Sequence, residues 1–391
     1  MRILLINPRP NRLANRQKPP SLPLGLLSIA SYIEKVGHTV KLVDHAVKPD
    51  KIEKHIESFQ PDVVALTVHS AISVKAAVTL SKTAQKYSKP VVWGGYVPTQ
   101  MTELCFREGC VDYIVISEGE LTFSELLAAM QSGKSLYDID GLAFKDKDGI
   151  HINTQREFAD LSMFPTIDWS LIDAKQYGEV FFRCKKMLYL YFSKGCPARC
   201  TFCYNPSYHR SCHRIRPVEH VVEEIEYLVK NCGVDGIYFA DEYWWLDKPT
   251  RQRFFDLIRE KDLRFHWGAQ TRLGAFGKQD LQELYDAGCR WLLFGIESAD
   301  PDRLKQVKKG IDLSIAKEIY DTCKNIGITT QSAFIVGYPD ETVDEVRKTV
   351  KLALHLDANL CPFSLMYLQP LAEMTMRAIE EGRYTPPESL M

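Results

Sequence analysis

The chain has 391 residues, 45% of them hydrophobic and 25% charged, which suits a folded protein with room for two domains of common size. Its 49 basic and 50 acidic side chains give a formal charge of −1, which excludes a global electrostatic footprint for nucleic acid or an anionic membrane. No stretch approaches the ~20 apolar residues of a membrane span, and the opening MRILLINP lacks the long apolar region and cleavage site of a secretory signal. Eleven cysteines, an odd count scattered along the chain, argue for reduced thiols in a cytoplasmic protein rather than a disulfide framework.

Over roughly the first 130 residues, short β-branched runs alternate with amphipathic segments. RILLIN (2–7), TVKLVD (39–44), DVVALTV (62–68), PVVWGG (90–95) and VDYIVIS (111–117) read as buried strands. Residues 24–36 carry Leu24, Leu27, Ala30, Ile33 and Val36 at helical spacing, with Gly37 placed to cap them. Strand and helix in alternation imply a parallel, doubly wound sheet, whose ligands sit at the carboxyl ends of the strands, where Gly94-Gly95 and the SEGE of 117–120 fall.

Residues 133–185 read as a linker with a small hairpin, because Lys147-Asp148-Gly149 is a turn signal between apolar runs. A second alternation starts near 186, with strands expected near 188–193, 235–240, 265–270, 290–296, 329–336 and 361–368. Helix signals fill the gaps: Pro217 precedes a stripe of Val218, Val221, Val222, Ile225 and Leu228, and Thr342 with Glu345 forms a capping box. Six such units suggest an incomplete barrel. The expected organisation is α/β throughout: a doubly wound domain over 1–132, the linker over 133–185, and a partial TIM-type barrel over 186–391.

Directly after the first strand of the second half stands SKGCPARCTFCYNP, with Cys196, Cys200 and Cys203 spaced CxxxCxxC. A structural zinc ion closes a tetrahedron of four ligands, and His209, Cys212 and His213 are near enough in sequence to complete one. A c-type haem fails, since position 204 is tyrosine. Three thiolates on one loop also suit three irons of a four-iron cubane, leaving the fourth iron open. Spacing alone leaves zinc and cluster both standing.

CxxxCxxC with Phe202 before its last cysteine, at the end of the first barrel strand, resembles the radical S-adenosylmethionine superfamily. The resemblance covers residues 186 to about 370. It implies a [4Fe-4S] cluster on Cys196, Cys200 and Cys203, whose open iron is chelated by S-adenosylmethionine, and one-electron cleavage of the sulfonium to a 5′-deoxyadenosyl radical. It also implies cofactor contacts at successive strand ends. Asp241 and Glu242 in YFADEYW would accept from the methionyl ammonium, and Arg272 in QTR would meet its carboxylate. Glu297 in GIES would lie near the ribose and the backbone around Ile335 and Gly337 near the adenine, with Phe202 as a further S-adenosylmethionine contact. Carboxylates suit an ammonium and a diol, a guanidinium suits a carboxylate, and glycine lets backbone approach a flat base. Tyr243, Trp244 and Trp245 stand where the class commonly has smaller residues, either on the substrate side or in packing.

The first half is similar to the cobalamin-binding domain that precedes the barrel in one large class of these enzymes, over PLGLLSIASYIEKVGHTVKLVD, PDVVALTVHS, VVWGGYVPTQ and DYIVISEGELTFSELL. The corrin and tail contacts this implies are Leu24, Gly25, Thr67, Gly94, Gly95, Thr99, Glu118 and Gly119. His45 lies out of register with the cobalt-ligating motif of other cobalamin proteins, and the radical class generally lacks that histidine. A dinucleotide-binding sheet would need a glycine-rich turn after the first strand, which INPRPNR does not supply.

Together the two resemblances imply a cobalamin-dependent radical enzyme, most often methylating an unreactive carbon, with ring closure, rearrangement or oxidation of a tetrapyrrole, lipid or natural product as the alternative. A non-enzymatic iron–sulfur or cobalamin sensor is the rival from another class. The implied partners are a small-molecule or peptide substrate and a low-potential donor of flavodoxin or ferredoxin type. The chain stops at Met391 without the extra C-terminal region many members have, so a minimal member or a fragment is expected.

Overall fold

A computed structural model describes residues 1–8 and 20–390; the loop quoted as INPRPNR therefore lies outside the described residues from position 9 onward. The chain divides into two compact units, Met1–Gly178 with Thr385–Met391, and Glu179–Tyr384. No helix among the described residues is long and apolar enough to cross a membrane.

The strands of the first unit are Arg2–Asn7 (β1), Thr39–Asp44 (β2), Val63–Thr67 (β3), Val91–Gly94 (β4), Tyr113–Val115 (β5), Leu142–Asp146 (β6) and Gly149–Ile152 (β7). They form one sheet in the order β2-β1-β3-β4-β5-β6-β7, parallel from β2 to β5. Side chains on a strand alternate between faces. Ile3 and Leu5 accordingly pack with Val63 and Ala65 on one side, while Leu4 and Ile6 pack with Val64 and Leu66 on the other. Both faces are covered by helices, which is why these runs are apolar throughout.

The hairpin expected around Asp148-Gly149 forms, with Gly149 at φ +128°. It is no free-standing part of a linker: β6 pairs antiparallel with β5, so the hairpin extends the first sheet and covers the edge that β5 would expose. Beyond it come three short 3-10 turns, Leu161–Met163, Trp169–Leu171 and Ala174–Gln176. The preceding aspartate in each case, Asp160, Asp168 and Asp173, accepts a backbone N–H inside its turn.

The second unit contains Glu179–Phe181 (β8), Cys184–Leu190 (β9), Ser193–Lys194 (β10), Arg214–Ile215 (β11), Gly236–Phe239 (β12), His266–Thr271 (β13), Cys289–Glu297 (β14), Thr329–Val336 (β15) and Phe363–Leu365 (β16). Its large sheet runs β16-β15-β14-β13-β12-β9-β8. From β9 to β16 the strands are parallel and each lies beside its predecessor, which winds the sheet into a half barrel. Only β8 runs antiparallel, turning back along β9.

The connecting helices follow their sequence signals. Helix Val218–Cys232 buries Val218, Val221, Val222, Ile225 and Leu228 and ends on Gly233 at φ +68°. Each such burial stabilises the unit by roughly 1.5–3 kcal/mol. Thr342 and Glu345 form their reciprocal cap ahead of helix Val343–Leu356. The result places the carboxyl ends of β9, β12, β13, β14 and β15 at one mouth.

Candidate functional site

Ser193 and Lys194 pair with Ile215 and Arg214, so the intervening loop leaves the mouth and returns to it. Gly195 opens the loop at φ +83°, where a Cβ would lie 2.1 Å from the carbonyl oxygen of Cys212; only glycine fits. Cys196 and Cys200 are buried and Cys203 is half-buried, all as free thiols. The Asn205 amide donates to Cys203 Sγ at 3.4 Å, Arg272 Nη1 lies 3.8 Å from Cys200 Sγ, and Cys200 Sγ lies 3.8 Å from the Lys308 carbonyl oxygen. Burial pushes the Cys203 thiol up to about 11 and raises Cys196, while the amides of Ala198 and Asn205 and the charge of Lys309 pull the other way. Metal ligation requires thiolates, and these donors and cations are the groups that would stabilise them.

Among the described residues no three His, Cys, Asp or Glu side chains converge on a point where they could share one metal ion. A cubane spreads its three ligands over three irons, so this donor set, three thiols on one loop, fits a cluster better than a single zinc. The zinc candidates are engaged elsewhere: His209 Nε2 lies 3.3 Å from Glu242, His213 Nε2 lies 3.0 Å from Ser193 Oγ, and Cys212 is exposed.

The two carboxylates expected at the ammonium both hold the loop. Asp241, fully buried, accepts from the amides of Phe192 (2.8 Å) and Ser193 (2.7 Å) and from the Ser193 hydroxyl (2.5 Å). Burial pushes its carboxyl up to about 7 against the pull of those donors. Asp241, expected at the ammonium, thus spends three accepted hydrogen bonds on the loop itself. Glu242 accepts from the Gly195 amide and the Tyr204 hydroxyl, each at 3.0 Å, and keeps 21% of its side chain exposed. Burial would raise it, but His209 and the Gly195 amide outweigh burial and hold it down to about 2.

Arg272, expected at the carboxylate, has its guanidinium spanning Cys200 Sγ and the carbonyls of Lys309 and Gly310. Glu297 ends β14 at φ +67° and pairs with Lys309 Nζ at 2.6 Å, both side chains almost entirely buried. A Cβ on Gly295 would meet Glu297 Oε1 at 2.5 Å and Lys309 Nζ at 2.7 Å, which explains the glycine of GIES. Phe202 and Ile335 pack together with Val307, Tyr338 and Met374. Gly337, exposed at φ +85°, already gives its amide to Glu341 Oε2 at 2.5 Å.

Tyr243 and Trp245 are half-buried, with rings 5.5 and 6.5 Å from His213. Trp244, for which substrate side and packing were both open, is fully buried among Phe192, Phe239, Trp267 and Phe276. Sequence reading missed Lys309, Ser193 and Tyr338 and offered His209 only as a zinc ligand; of the three, only the lysine, in the KKG of 308–310, sits in a pattern that could have drawn notice.

In the first unit Thr67, Gly94, Gly95, Thr99, Glu118 and Gly119 gather at the ends of the adjacent strands β3, β4 and β5. Gly95 has φ +99°, and its Cβ would sit 3.0 Å from Thr67 Oγ1. Thr99 is tied down, donating to the Gly95 carbonyl and accepting from the Ser117 amide at 2.8 Å each. Gly25 faces open space, while its neighbour Leu24 is buried. Gln100, in the same corner of the sheet, is 6% exposed with both amide atoms unpaired. Close-packed glycine backbone at three neighbouring strand ends, beside an orphaned buried amide, suits the approach of a large amide-bearing ring. His45 follows β2 at the far edge of the sheet, away from those strand ends.

Comparison with known proteins converges on the same two parts. The radical SAM superfamily model matches residues 190–353 and the B12 binding domain model matches residues 17–127. The chain is 32% identical to an uncharacterized methyltransferase of Pyrococcus horikoshii over 352 residues, 88% of this chain and 75% of the relative. It is 28% identical over 393 residues to the anaerobic magnesium-protoporphyrin IX monomethyl ester cyclase of Rubrivivax gelatinosus, covering 96% of this chain and 69% of that one. Its fold superposes with TM-score 0.80 at 21% identity on the radical S-adenosylmethionine methyltransferase TsrM of Kitasatospora setae, over 97% of this chain and 76% of that one. With three thiols on one loop at the mouth of a half barrel and a doubly wound cobalamin-type sheet ahead of it, the chain belongs to the cobalamin-dependent radical S-adenosylmethionine enzymes, whose cofactors are a [4Fe-4S] cluster, S-adenosylmethionine and cobalamin.

Proposed function

We propose that this enzyme transfers a methyl group to an unactivated carbon of a small-molecule or peptide substrate. The observation that carries the reading is the gathering of Cys196, Cys200 and Cys203 on one clamped loop, in a chain that is 32% identical to a methyltransferase. When bound, the cofactors supply one electron to the sulfonium, a carbon radical and a carried methyl group.

The protein's own residues hold and shield. Asp241 and Glu242 fix the loop from beneath; Arg272 and Lys309 place positive charge beside the sulfurs. Glu242 and Glu297 are the carboxylates through which cosubstrate polar groups would be held, with Phe202, Ile335 and Gly337 along the nucleoside. Thr67, Gly94, Gly95, Glu118, Gly119, Gly25 and Leu24 line the cobalamin side, with Thr99 bracing the loops behind it. Tyr243 and Trp245 remain as substrate-side residues. Eleven free thiols and the cluster suit a reducing, anaerobic cytoplasm, with a flavodoxin- or ferredoxin-type donor as the electron source.

The test is anaerobic reconstitution with iron, sulfide and cobalamin, followed by assay under strong reductant. Methylation yields both 5′-deoxyadenosine and S-adenosylhomocysteine. If neither appears, the reading is wrong. The likeness to the Rubrivivax cyclase favours a second reading, oxidative ring closure on a tetrapyrrole. That chemistry gives 5′-deoxyadenosine without S-adenosylhomocysteine.

A further inference from the structure

Tyr338 follows Gly337 just beyond β15 and turns its ring inward, leaving 3% exposed. The ring stands edge-on to Phe202 at 6.3 Å and shares an apolar cluster with Val307, Met374 and Ile335. Its hydroxyl is buried and meets no hydrogen-bond partner in the protein. Glu341 gives one oxygen to the amides of Gly337 and Tyr338, and its other oxygen is also unpaired, so the two side chains have not satisfied each other. Burial, with the charges of Glu297, Glu341 and Cys200 around it, keeps the phenol protonated and hence a donor.

A buried hydroxyl without a partner is costly, and phenylalanine would fill the same space without that cost. We propose that the Tyr338 hydroxyl donates a hydrogen bond to the nucleoside of bound S-adenosylmethionine, as a binding residue in addition to those the sequence suggested. The proposal rests on the enzyme reading above. Its support is position: the ring touches the cluster that contains Phe202 and Ile335, and the hydroxyl lies within the field of Glu297. The Tyr338 hydroxyl makes no hydrogen bond to an acceptor of the protein, and a nucleoside brings several.

The experiment uses the anaerobically reconstituted protein and Tyr338→Phe, with iron content and thermal unfolding as controls. Equilibrium dialysis measures S-adenosylmethionine, 5′-deoxyadenosine and methionine separately. Tyr338→Phe is expected to hold its full iron content, to melt no lower than the unaltered protein without cosubstrate, and to bind S-adenosylmethionine and 5′-deoxyadenosine about tenfold more weakly. Methionine binding stays unchanged. Equal affinity of the two proteins for S-adenosylmethionine overturns the proposal alone. Failure of the unaltered, cluster-loaded protein to bind S-adenosylmethionine overturns the enzyme reading, and the proposal with it.

Discussion

Asp241 and Glu242 are neighbours at one strand end with opposite electrostatics, because each faces different donors. Glu242 is held down to about 2 from 4.5, so its contribution to stability is fully present above pH 4.5 and is lost as pH falls through about 2. Glu242→Gln should therefore cost the cofactor-free protein about 2 kcal/mol at pH 6, and the gap should close on acidification; a gap that is flat with pH, in urea melts, would refute this. Asp241→Asn leaves an amide NH2 facing one of three donors. A loss of about 2–4 kcal/mol is expected, together with poorer iron uptake. The acidic pair was legible in YFADEYW, but its partners were not, since Phe192 and Ser193 are 49 and 48 residues away. The same distance problem hid Lys309 behind Glu297.

At the scale of elements, the loop from Gly195 to His213 has little regular structure, only the short helix Asn205–Tyr208, and depends on clamps at its base. Gly195→Ala would set a methyl against the Cys212 carbonyl in a left-handed conformation. The variant is expected to keep its far-ultraviolet circular dichroism while retaining under half the iron of the unaltered protein after reconstitution, on the order of the loss that a strained residue imposes. Full iron retention would show that the loop tolerates the strain. Amphipathic helices and buried strands were legible from period alone, as Val218 to Leu228 shows. The hairpin was legible too, from Asp148-Gly149, but not its attachment, because pairing of β6 with β5 depends on which sheet edge lies free.

At the scale of the molecule, each unit has its own sheet, and the first has apolar clusters on both faces of its sheet. Residues 179–384 expressed alone should bind iron through the three cysteines, and a chain of residues 1–178 should take up cobalamin, followed by absorbance after desalting. Iron uptake by residues 1–178, or cobalamin uptake by residues 179–384, would contradict the division of labour.

The order of elements, their periods and the cysteine spacing were determined by sequence, because they depend on neighbours a few residues apart. Family membership was legible for the same reason. Only the tertiary structure decided that Asp241 accepts from the loop's amides, that Trp244 lies in the core while Trp245 does not, and that Tyr338 carries an unpaired hydroxyl. Those outcomes depend on which distant backbone amides, rings and carbonyls a side chain meets once β9 to β15 bring their ends together, and no local pattern encodes that meeting.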